Sequence, residues 1–149
     1  MNPEENAKKA AQVLAELTDG AQHDIAVVMG SGWMPAADLL GETVHEFPTD
    51  SLPGFTKPAV AGHGGTIRSV QTGDKRTLVF LGRTHYYEAR DVAAVSHAVR
   101  TSAAAGVKTL VLTNGCGGLN PAWTPGTPVL IKDHINLTAT SPLVGARFV

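Results

Sequence analysis

Residues 24–33, "DIAVVMGSGW", decide how this chain reads. The run at 24–29 is too short and too continuously apolar for a surface helix, which would show polar positions at every turn, and it fits a buried β-strand instead. Strands of that kind occur in parallel sheets with helices on both faces. Gly30 and Gly32 follow at once, so the strand ends in a tight turn.

The neighbouring segments agree with this reading. "TLVLT", 109–113, is a second buried strand, and it runs into the glycine-rich "NGCGGLNP". Thr66–Gln71 and Arg76–Leu81 flank "TGDK", whose Gly73-Asp74 pair suits a hairpin. "TPVLI", 127–131, reads as a last strand, and Val44–Gly65 as an extended loop with one short strand. Asn2 caps a first helix with Pro3 at its first position and Glu4 and Glu5 in its positive first turn; Ala7, Ala10, Leu14 and Leu17 recur at helical spacing until Gly20. "GSGWMPAADLLG" leads into a short helix that Gly41 ends, and Asp91 caps one that shows Val92, Val95 and Val99 on one face and closes at Gly106. Strands alternating with helices define an α/β protein: a mixed, partly parallel central β-sheet flanked by helices, in one domain over 1–149.

Composition narrows the partners. With 12 Lys and Arg against 13 Asp and Glu, the formal charge is −1 and no basic stripe gathers, so nucleic acid, which needs clustered cations, is not an expected partner. The single cysteine, Cys116, cannot form an internal disulfide, which suits a reducing compartment. The first 20 residues lack the pattern of a secretory signal and no apolar run approaches the roughly 20 residues a bilayer requires, so a cytoplasmic protein without membrane contact is expected.

In open α/β sheets ligands collect where strands end at the carboxyl edge. Three such ends carry unusual residues. Gly30-Ser31-Gly32 offers N–H groups and a hydroxyl at a helix start, either an anion cradle or a plain turn. Asn114-Gly115-Cys116-Gly117-Gly118 lets backbone approach a ligand closely, or simply turns. In "GRTHYYEAR", 82–90, Arg83 and His85 alternate and so face one side of an extended chain, where a guanidinium fork and an imidazole make a phosphate clamp; Tyr86, Tyr87 and Glu88 read equally as a half-buried strand end. His63 stands between glycines in "GHGG". His63, His85, His97 and His134 show no metal-ligand spacing, so no metal site is expected. Without a Walker lysine motif, the set suggests an enzyme that handles free phosphate or a small phosphate ester.

Taken in order, "VVMGSGW", "FP…LPGFTKPAVAGHGG", "GRTHYYEAR", "LTNGCGGLNP" and "IKDHINLTATSPLVG" resemble the trimeric purine nucleoside phosphorylases that act on guanine and hypoxanthine nucleosides. The resemblance covers nearly the whole chain and implies the nucleoside phosphorylase fold. The implied activity is that of a pentosyltransferase: reversible phosphorolysis of a purine (deoxy)ribonucleoside to the base and (deoxy)ribose 1-phosphate, with inorganic phosphate as co-substrate and no cofactor. By resemblance Ser31, His63, Arg83, His85, Asn114 and Gly115 bind phosphate, Tyr87 holds the ribose, and Phe148 closes the sugar site of a neighbouring subunit in a homotrimer. His85, Glu88 and His63 are the implied catalytic set, with Glu88 orienting the clamp.

Three departures stand out. The family usually reads Tyr-Glu-Gly where this chain has Tyr87-Glu88-Ala89, with Arg90 in a place commonly aromatic, and alanine where Gly115 and Cys116 stand. Family chains are also nearly twice as long, so the resemblance implies the N-terminal half of such an enzyme, cut before the residues that select the base and inactive alone. A methylthioadenosine phosphorylase, and a non-catalytic fragment that binds phosphate or is completed by a partner chain, are the competing readings.

Overall fold

A computed structural model of the protein describes residues 2–30, 32–55 and 65–144. Helix α1, Pro3–Leu17, begins where the sequence places its cap: the Asn2 side chain accepts from the Glu4 N–H at 3.0 Å. It ends as Asp19 and Gly20 turn left-handed, with φ of 53° and 75°. Ala7, Ala10 and Leu14 face inward, while Leu17 is exposed.

Five strands form one sheet: β1 (Ile25–Met29), β2 (Glu42–Pro48), β3 (Thr66–Thr72), β4 (Lys75–Leu81) and β5 (Thr109–Leu112), in the order β2-β3-β4-β1-β5. β1 runs parallel to both neighbours, whereas β2, β3 and β4 pair antiparallel. The sheet is therefore mixed and partly parallel. Gly73, at φ 60°, and Asp74 make the β3–β4 turn.

Two apolar clusters sandwich the sheet. Ala26, Val28, Leu78 and Phe80 pack with Ala10 and Leu14 of α1 on one face, and Val27, Met29, Val79 and Leu81 pack with Ala37, Met34 and Leu40 on the other. The continuous apolarity of β1 is thus explained by burial on both faces. A one-residue slip would exchange the faces and set the small Ala26 where Val27 now packs. Each fully buried Leu, Val or Ile here contributes about 1.5–3 kcal/mol, so register is strongly held.

Several expectations need correction. The helix expected after Asp91 is broken: α2 (Tyr86–Ala89) is followed by α3 (Val92–Val95) and α4 (His97–Ala104), with Ser96 between them. Asp91 does cap α3, accepting from Ala93 and Ala94, but the Ser96 hydroxyl bonds the carbonyls of Val92 and Ala93 and competes with a continuous helix. His97, Thr101 and Ser102 form the buried face against α1, and Val95 and Val99 do not. Tyr86, Tyr87 and Glu88 begin a helix rather than end a strand. The segment after Gly32 is a 3-10 helix, Met34–Leu39, and the short strand looked for beyond Val44 is the seven-residue β2, which starts earlier.

"TPVLI" forms no strand. Residues 113–144 run without helix or strand, with Leu119 100 % and Leu130 97 % exposed. Apolar alternation supplies strand propensity, but a strand also needs a partner, and 127–131 has none among the described residues.

Candidate active site

Because β1, β4 and β5 are mutually parallel, their carboxyl ends lie together, and so do the loops that begin at Gly30, Gly82 and Thr113. A cavity of about 850 Å³ opens there. Arg83, His85, Thr113 and Asn114 line its polar side, and Phe55, Phe80, Val95 and Val99 its apolar side. This combination of apolar wall and few convergent polar groups is the usual character of a small-molecule site.

Arg83 leaves the end of β4 and lays its guanidinium over Gly30, filling the space that a Cβ there would need. Its Nη1 donates to the Thr113 carbonyl at 2.5 Å. Among the described residues no carboxylate forms an ion pair with it, so its charge is held in place without being neutralised. His85 keeps an extended backbone, φ −96° and ψ 141°, before α2 begins. Its N–H donates to the Glu88 carboxylate at 3.2 Å, so Glu88 fixes the backbone at His85. The His85 and Tyr87 rings stack with centroids 5.0 Å apart, and Tyr87 is 78 % exposed.

The structure therefore brings Arg83, His85, Tyr87, Glu88 and Asn114 to one cavity. Gly115 follows Asn114 on an exposed stretch. Ser31, His63 and Phe148 lie outside the described residues. One expectation of the glycine turn changes: the Gly30 N–H is not free for an anion, because it donates to the Thr113 hydroxyl at 3.3 Å. Gly32 is left-handed, φ 84°, and the Trp33 N–H closes the turn on the Gly30 carbonyl at 3.1 Å.

Sequence reasoning missed four contributors. Thr113 was read as the last residue of a strand, although a hydroxyl at the mouth of a buried strand is a signal in itself. Trp33 donates its indole N–H to the Asn114 carbonyl at 3.1 Å and so ties the first loop to the third. Val95 and Val99, legible in the sequence only as one face of a helix, line the cavity. Among the described residues no group of three or more His, Cys, Asp or Glu gathers as metal ligands would. The strongly perturbed titration lies elsewhere: burial, reinforced by Arg76, lowers His23 to about 4, and its ring shares a 2.8 Å hydrogen bond with the Ser69 hydroxyl.

Fold and site together define an α/β protein with a cleft, lined by Arg83, His85 and Asn114, at the carboxyl edge of its parallel strands. The model of the phosphorylase superfamily matches residues 24–149, and the chain belongs to that superfamily. It is 56% identical over 148 residues to a purine nucleoside phosphorylase of Cellulomonas sp, covering 96% of this chain and 52% of that one. To the purine nucleoside phosphorylase of Mycobacterium tuberculosis it is 51% identical over 148 residues, covering 99% and 55%. The crystal structure of the Schistosoma mansoni enzyme in complex with inosine superposes with a TM-score of 0.69 at 31% identity, over 80% of this chain and 41% of that one. A purine nucleoside phosphorylase in complex with ribose 1-phosphate gives 0.71 at 31% identity, over 80% and 43%. The chain spans about half the length of the curated relatives it matches.

Proposed function

We propose that this chain carries the phosphate- and ribose-binding part of a purine nucleoside phosphorylase. The observation that carries the reading is the convergence of Arg83, His85, Tyr87 and Asn114 on one cavity at the ends of three parallel strands, in a chain that is half identical to enzymes of that name. The protein to which this part belongs cleaves inosine- or guanosine-type nucleosides with phosphate, releasing the purine and (deoxy)ribose 1-phosphate.

A phosphate dianion is a mediocre nucleophile, so catalysis rests on placing it beneath the anomeric carbon while the sugar develops oxocarbenium character. Arg83 presents fixed positive charge, His85 donates from an imidazole whose backbone Glu88 holds, and Asn114 and Gly115 line the opposite loop. Ser31 and His63 complete the phosphate set in this proposal, and His63, His85 and Glu88 the catalytic one. The bound phosphate in turn stabilises the sugar cation. Tyr87 covers the ribose, and Phe148 closes the sugar site of a neighbouring subunit in a cytoplasmic homotrimer. The reaction needs phosphate as co-substrate and no cofactor.

Isothermal titration of the chain with inorganic phosphate and with ribose 1-phosphate tests this. Saturable binding of both, lost in Arg83→Ala, is expected, together with no turnover of inosine by the 149 residues alone. Binding of neither ligand would overturn the assignment.

A further inference from the structure

The three strand-end loops are joined at one residue that the proposed chemistry does not use. Thr113 bonds the Val28 carbonyl twice, from its N–H and from its hydroxyl, each at 3.0 Å. The same hydroxyl accepts the Gly30 N–H at 3.3 Å, so it both donates and accepts, and its main-chain carbonyl accepts the Arg83 guanidinium at 2.5 Å. We propose that Thr113 is the positioning residue of the anion site: its hydroxyl staples the loop after β5 to the glycine turn after β1, and its carbonyl sets Arg83 across the gap.

Arg83 has no ion pair among the described residues, so the direction of its guanidinium depends on a neutral acceptor. A carbonyl steers an arginine without neutralising it, and the full charge stays available to an incoming anion. That carbonyl can steer only as far as its own peptide is fixed. The hydroxyl adds a second tether at Thr113, since its N–H lies in the preceding peptide and does not by itself fix the one that carries the carbonyl. Gly30 completes the arrangement: it gives its N–H to the hydroxyl and lends its missing side chain as room for the guanidinium.

This inference rests on the phosphate site proposed above, and the test separates the two. In the whole chain, Thr113→Val keeps the shape and removes the hydroxyl, while Thr113→Ser keeps the hydroxyl. Phosphate affinity is expected to fall about ten-fold in Thr113→Val, the factor carried by a misdirected hydrogen bond to a charged group, and to return within about two-fold in Thr113→Ser. Independently of any ligand, the Arg83 guanidinium NMR signals should show slow rotation in the native chain and Thr113→Ser and fast rotation in Thr113→Val, with the Gly30 amide losing its exchange protection only in the last.

Freely rotating Arg83 in the native chain would overturn the positioning role, even if Thr113→Val failed to fold. So would equal phosphate affinity in a folded Thr113→Val and the native chain. Absence of phosphate binding in the native chain with Arg83 restrained as described would instead sink the phosphate site and leave the staple standing.

Discussion

The Arg83 guanidinium occupies the space that a side chain at position 30 would need. Glycine at 30 is therefore a condition of where the arginine sits. Gly30→Ala is expected to push the flexible end of Arg83 aside, weakening phosphate binding about ten-fold while stability changes by less than about 1 kcal/mol, because no backbone has to move. Titration calorimetry beside a thermal melt checks this, and unchanged phosphate affinity would count against the contact.

Gly54 makes the opposite case. It is left-handed, φ 84°, and a Cβ there would strike Asn6 and His97, whose ring bonds the Pro53 carbonyl at 2.8 Å and packs on Phe55 at 4.6 Å. Here strain and overpacking add, so Gly54→Ala should cost about 2–4 kcal/mol, read as a lowered urea midpoint.

His23 sets a pH dependence. Its folded form holds a proton less readily than the unfolded chain, about 4 against the ordinary 6.5, because burial disfavours the imidazolium. The unfolded state thus binds more protons between those values, and the neutral ring's stabilisation, complete above pH 6.5, drains away as pH falls toward 4. A loss of about 2–3 kcal/mol across that window is expected from urea unfolding at several pH values, and it should be absent in His23→Gln.

The open side of β5 predicts self-association. Val111 and Leu112 are 44 % and 61 % exposed on a strand that pairs only with β1 among the described residues. Unpaired apolar edges recruit other chains, and charge on the edge prevents this. Leu112→Lys should slow concentration-dependent aggregation and reduce binding of an apolar dye with little change in melting temperature; identical light scattering would show that another surface governs association.

Much of this could be read from residues alone, for identifiable reasons. β1 is apolar over its whole length and β4 from Leu78 to Leu81, and local patterning suffices where a strand is buried on both faces. The caps at Asn2 and Asp91 were legible because capping is a local hydrogen bond. The break at Ser96 was not, since its hydroxyl can bond backbone in a helix or interrupt one, and packing against α1 decides between them. "TPVLI" was misread because strand pairing is non-local. At the site, Arg83 and His85 could be singled out by type and spacing, whereas Tyr87, Glu88 and Asn114 came from the family resemblance. What the pattern hid was the wiring, in which Thr113 and Trp33 act through bonds to distant partners, Val28 on β1 85 residues away and Asn114 81 residues away.

The placement of β1 between β4 and β5 also sets a timetable. Ile25 pairs with Thr77 on one side and Thr109 on the other, so β1 leaves the ribosome long before its second neighbour exists. At about 5–20 residues per second it waits on the order of 4–17 s, apolar on both faces and half paired. The cleft, whose walls are the ends of all three strands, can form only once β5 has been made. During that interval the nascent chain is a natural client for chaperones.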